Sequence, residues 1–269
     1  FFRFVAQRPR YSEGAMNKHL IPREHGAYAE LGFPLLSGLL VASPGWASYL
    51  FVVAALLLFF ANESVVVLVG ARGRRLQEEQ GPSARRLLAL LAALGALAGL
   101  AALALAPVSA RWLALVPAAF ALCLVPTVLS KNLKSLGGEA IAAAAFSSMH
   151  LPVAAAGGAQ GALLWGPPVM WFATTMVATF AVHAIKARVT GAKPWVVPVA
   201  AFAAPLALAA ALAVAWALPS LRAVALAACL PLAGVLALDR LALSPKKLKQ
   251  VGWTVVAANA LAITVLVTQ

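Results

Sequence analysis

Apolar residues run through this chain in long blocks separated by short polar segments. A membrane-crossing helix needs roughly 20 mostly apolar residues, within a working range of about 17 to 25. Nine blocks reach that length: 27–43, 48–69, 84–106, 110–130, 139–157, 163–186, 195–218, 220–241 and 251–268. The pattern predicts an all-α membrane fold, a nine-helix transmembrane bundle. Pro34, Pro117, Pro126, Pro152, Pro205 and Pro231 fall inside blocks. Membrane helices tolerate such prolines because neighbouring groups satisfy the freed carbonyls. Gly- and Ala-rich faces on the third, fifth and seventh blocks permit close helix approach.

The polar residues sort to one side of this bundle. With nine spans, the connections after the second, fourth, sixth and eighth return to the side holding the amino terminus. Of 21 lysines and arginines, only Arg111 and Arg222 fall on the opposite side. Basic loops stay in the cytosol, so the amino terminus is predicted cytosolic and the carboxyl terminus outside. The acids follow. Glu13, Glu78, Glu79 and Asp239 belong to loops or ends on the basic side, and Glu24, Glu30, Glu63 and Glu139 sit at or just inside its membrane boundary. The other side has no acid, and its loops are bland. A functional surface is therefore expected on the cytosolic side.

Composition agrees. The chain is 63% apolar and 11% charged, with mean hydropathy +0.91; a soluble domain is about half apolar and a quarter charged. A net charge of +13 raises the question of nucleic acid, but the basic residues occupy short loops between spans, where they set orientation. Nucleic acid is excluded as a partner. Cys123 and Cys229 lie in apolar blocks and read as inert core thiols. Residues 1–15 begin without Met and carry Arg3, Arg8 and Arg10 in a non-periodic run, whereas Met16-Asn17-Lys18-His19 looks like a natural start. The expectation is an extension over 1–15 and a single membrane domain over 16–269.

Glu30 lies about two turns into the first span, and Glu63 about two turns from the end of the second. A carboxylate in hydrocarbon is costly, so each should face the bundle interior and find a partner. Arg23, His25, Arg72 and Lys131 are the candidates. A structural ion pair and a ligand site both stay open. His183 and Lys186 share one face of the sixth span. His150, deeper and beside Pro152, reads as a hydrogen-bonded core histidine; the histidines have no spacing that would ligate a metal or haem. In the connection Ser130 to Glu139, Lys131 and Lys134 share a face if helical, Gly137-Gly138 permits a tight turn, and Glu139 starts a helix, where the dipole favours an anion. Arg72, Lys131, Lys134, Lys186 and Arg188 thus end three even-numbered spans; convergence on one anion and the ordinary positive-inside bias of cytosolic loops both stay open.

The stretch Pro22-Arg23-Glu24-His25-Gly26-Ala27-Tyr28 resembles the opening of the YwiC-like family of bacterial membrane proteins. Asn62-Glu63, Gly70 to Arg75, Lys131 to Glu139 and His183 to Arg188 also look like that family, so the resemblance covers 16–269. It implies a multi-pass protein of the bacterial cytoplasmic membrane. A more distant similarity is to the UbiA prenyltransferase superfamily, which implies a UbiA-like bundle with catalytic motifs at the cytosolic ends of helices two and six. That superfamily binds magnesium and a prenyl diphosphate through Asp-rich N-D-x-x-D motifs. Here Asn62 is followed by Glu63 and then Val65, Val66 and Val67, and the sixth span ends in His183, Lys186 and Arg188.

These readings give a cytosol-facing basic cavity that binds an anionic amphiphile, an isoprenoid or lipid phosphate. Its ligand set is Arg23, Tyr28, Glu30, Asn62, Arg72, Lys131, Lys134, Glu139, His183, Lys186 and Arg188. If the protein is an enzyme, Glu63, His25 and Glu24 are the acid–base candidates. No metal ligand or cofactor is assigned. One alternative is a non-catalytic membrane subunit or assembly factor whose basic face docks a membrane-protein partner or anionic lipid. Another is a transporter, although no internal repeat is visible.

Overall fold

The computed structural model describes residues 20, 25–191, 193–240 and 248–268. The expected extension 1–15 and the candidates Arg23 and Glu24 lie outside the described residues, as do the side chains of His25, Asp239 and 248–251.

Eleven α-helices follow one another: α1 (His25–Leu40), α2 (Trp46–Leu68), α3 (Arg74–Leu105), α4 (Val108–Leu113), α5 (Leu115–Leu129), α6 (Leu136–Ser148), α7 (His150–Ala156), α8 (Gly161–Thr190), α9 (Val196–Ala217), α10 (Arg222–Arg240) and α11 (Leu248–Val267). A break at Ala114 joins α4 to α5, and one at Met149 joins α6 to α7. The described residues therefore form nine helical rods without strands. Seven of these stretches are long and apolar enough to cross a membrane, whereas α1 and 252–267 are shorter. The outer faces are apolar too: Leu90, Leu94, Leu97 and Leu100 of α3 are exposed. In hydrocarbon such a surface costs nothing.

The structure corrects three sequence expectations. First, α3 begins at Arg74, not near 84. Arg74 pairs with Glu78 and Arg75 with Glu79, both at 2.9 Å and both exposed. These i,i+4 pairs support a helix, and a rod of about 48 Å at 1.5 Å per residue outruns a roughly 30 Å hydrocarbon core. Second, Gly137-Gly138 is not a turn but the first turn of α6. A Cβ on Gly138 would stand 2.7 Å from the Leu133 carbonyl oxygen, so glycine is needed there for close approach. Third, Cys123 is exposed on α5, not in the core.

Two apolar cores meet along α1, α7 and α8. One gathers Leu31, Phe51, Phe59 and Leu151, and the other Trp171, Val177, Val235 and Ile263. Between them lies the fully buried His150. Pro167 has no N–H, so it leaves the Leu163 carbonyl without its helical partner. His150 Nε2 donates to that oxygen at 2.9 Å. Its Nδ1 lies 2.9 Å from Ser37 Oγ, which accepts from Trp171 Nε1 at 2.9 Å. One imidazole thus ties α1, α7 and α8 together, as the hydrogen-bonded core reading requires.

The two basic residues at the far end of the bundle serve helix ends. Arg111 donates to the carbonyls of Ala106 at 2.9 Å and Ala104 at 3.3 Å, closing α3. Arg222 donates to Ala215 at 3.2 Å, closing α9. A cation at a helix C-terminus is favoured by the dipole and by the orphan carbonyls.

His150→Leu should leave the Leu163 carbonyl unpaired in apolar surroundings and cost about 1–3 kcal/mol, while Ser37 keeps its bonds to Trp171 and the Pro34 carbonyl. Thermal unfolding in detergent checks this; an unchanged midpoint would contradict the structural role.

Candidate functional site

The site is assembled from two helix-ending turns and one helix end. Helix α2 closes with Gly70 in the left-handed region, φ +72. The Gly70 N–H donates to the Val67 carbonyl and the Ala71 N–H to that of Val66, at 3.0 Å each. This paired closure is a Schellman motif. It reverses the chain and returns Arg72 to the helix it has just left. Arg72 Nε donates to Glu63 Oε1 at 2.9 Å and Nη2 to Oε2 at 3.0 Å. Glu63 is only 3% exposed, so this two-pronged pair neutralises a carboxylate inside the bundle.

Helix α5 closes in the same way. The Lys131 N–H donates to Val128 at 3.0 Å and the Asn132 N–H to Thr127 at 2.8 Å. The residue in the left-handed position is Lys131, φ +59. Glycine takes that conformation freely, whereas a residue with a Cβ takes it at a cost of about 1 kcal/mol. The chain keeps lysine where glycine is cheaper. The two turns abut: a Cβ on Gly70 would lie 3.6 Å from Lys131 Nζ. Next, Ser135 caps α6 by accepting from the Gly138 N–H at 3.1 Å, and Glu139 emerges from the first turn. It meets α8, where His183 Nε2 lies 2.6 Å from Glu139 Oε2.

Together these elements border a cavity of about 620 Å³. Glu30, Asn62, Glu63 and Arg72 line it from α1, α2 and the following turn. Lys131, Lys134 and Glu139 line it from the second turn and α6, and His183 and Lys186 from α8. The structure brings these polar residues of α1, α2, α6, α8 and the two turns to one cavity wall. Tyr28 is not on the wall; its ring packs edge-on against Phe59 at 5.3 Å. Arg188 is exposed beyond the wall, on the last turn of α8. His25 starts α1.

The deeper wall was not anticipated. Along α8 the lining runs from Lys186 back to Trp171, roughly 22 Å at 1.5 Å per residue. Phe33 stacks on Trp171 at 5.7 Å, and Phe59 meets Phe146 edge-on at 5.8 Å; all four rings line the cavity. Asn259 of α11 lines it as well, and its Oδ1 has no hydrogen-bond partner among the described residues. A lone amide in an apolar block was visible in the sequence as a signal. The aromatic rings were not, because periodicity does not separate a cavity wall from a core.

A bundle of apolar helices around a deep cavity, charged at one end and apolar inside, defines an integral membrane protein with an amphipathic chamber. The family model described as YwiC-like protein matches residues 21–155, and the chain belongs to that family. The match covers α1 to α6 and most of α7; His183 and Lys186 lie beyond it. No curated protein and no solved structure matches the chain.

Lys131→Gly should leave thermal stability unchanged or raise it by up to about 1 kcal/mol, because glycine relieves the left-handed strain. Gly70→Ala should lower it, since the new Cβ would meet Gln77 Oε1 at 2.8 Å. Unfolding midpoints in detergent test both; a clear loss of stability in Lys131→Gly would contradict the strain argument.

Proposed function

We propose that the chamber binds an anionic amphiphile, an isoprenoid or lipid phosphate, with its head group at the lysines and its tail along the aromatic wall. The observation that carries this reading is the polarity gradient within one cavity. Lys131, Lys134 and Lys186 stand at one end, and Phe33, Phe146 and Trp171 line the interior. Ligand pockets typically measure about 300–1,000 Å³, so the volume suits a medium-length tail. Positive charge clustered at this end supports reading it as the cytosolic side of a bacterial cytoplasmic membrane.

Binding is favoured over acid–base chemistry. Of the acid–base candidates Glu63, His25 and Glu24, only Glu63 has its side chain among the described residues, and both its oxygens are occupied by Arg72; Glu139 is engaged by His183. On this reading the chain is a divergent UbiA-like relative that keeps the cavity and the polar helix ends without the Asp-rich motifs.

Isothermal titration of the purified protein with farnesyl phosphate and with farnesol separates head-group from tail recognition. The phosphate should bind at least about tenfold more tightly, and Lys186→Gln should remove most of that advantage. Equal affinity for the phosphate and the alcohol would overturn the proposal.

A further inference from the structure

The charges at the mouth specify more than "anionic". Among the described residues, Arg72, Lys131, Lys134 and Lys186 line the cavity with Glu30, Glu63 and Glu139. Arg72 is spent on Glu63. Glu139 is joined to His183. The surplus is one positive charge with His183 neutral, and two with it protonated. A phosphomonoester carries about 1.5 to 2 negative charges near neutral pH, and a diphosphate carries more. The surplus matches the smaller group.

A diphosphate would need a divalent cation to offset its extra charge, as the UbiA likeness implies. The donor set does not suit one. Magnesium demands near-octahedral oxygen ligation, commonly through one or two available carboxylates. Both Glu63 oxygens accept from Arg72, whose guanidinium would also repel the ion. Glu139 Oε2 is occupied by His183, and Glu30 supplies at most one further carboxylate. Among the described residues no group of three His, Cys, Asp or Glu side chains stands together. Lysine ammonium groups, each a compact charge with three donors, are instead suited to the oxygens of a single phosphate. Lys131 is held at this mouth despite its left-handed backbone.

Resting on the amphiphile reading, we propose that the head group recognised here is a single phosphate, a phosphomonoester held by lysine charge without a divalent cation. The test is titration of the full chain in detergent with farnesyl phosphate and farnesyl diphosphate, each in EDTA and in magnesium. The monophosphate should bind at least about tenfold more tightly than the diphosphate, with an affinity that magnesium leaves within about twofold. Lys186→Gln and Lys131→Gly should each weaken the monophosphate about tenfold. The second variant is expected to fold at least as well as the parent, so its loss reports binding. Tighter binding of the diphosphate, or binding that appears only with magnesium, would overturn the proposal while leaving the amphiphile reading intact. If neither phosphate binds better than farnesol, the amphiphile reading itself fails.

Discussion

A carboxylate buried inside an apolar bundle must be neutralised, and that constraint shapes the polar end of this protein. Glu63 sits within α2 at 3% exposure. An uncompensated charge there would be expensive. Its partner comes from the turn that follows, so the chain must reverse tightly enough to bring Arg72 back beside its own helix. Gly70 makes the reversal possible, and Gln77 secures it by donating to the Leu68 carbonyl at 2.5 Å. The α2–α3 turn is then fixed as part of the chamber wall.

A second constraint works at the bundle's centre. Proline at 167 helps shape α8 but leaves the Leu163 carbonyl without its helical donor. His150 supplies the missing donor from α7 and reaches Ser37 of α1 with its other nitrogen. His150, Ser37, Trp171 and the Leu163 carbonyl therefore satisfy one another and tie α1, α7 and α8 together behind the cavity. Its mouth differs, because Lys131 and Lys186 are exposed there as cations. Charged at its mouth and apolar below, the cavity has the polarity gradient on which the amphiphile proposal rests.

Much of this was legible in the sequence, because membrane physics is severe. Apolar block length gave the nine rods, and charge placement gave the polar end. The need to pair buried acids pointed to Glu63 and to Arg72 as a candidate partner. Other features were hidden for identifiable reasons. The start of α3 was missed because its first turns are held by Arg74–Glu78 and Arg75–Glu79, a pattern that hydropathy does not see. Gly137-Gly138 looked like a turn, but Ser135 caps the helix ahead of it. Lys131 was read for its charge, and nothing in its identity revealed a left-handed backbone. Phe33, Phe146 and Trp171 were hidden among other apolar residues.

The Glu63–Arg72 pairing anchors the rest, and a double-mutant cycle addresses it directly. Thermal stability in detergent would be compared for the parent, Glu63→Gln, Arg72→Gln and the double variant. The account predicts that each single change is strongly destabilising and that the double change costs less than their sum, with a coupling of roughly 1–3 kcal/mol. Strictly additive losses would mean that the two side chains do not meet in the membrane, and the chamber described here would lose its wall.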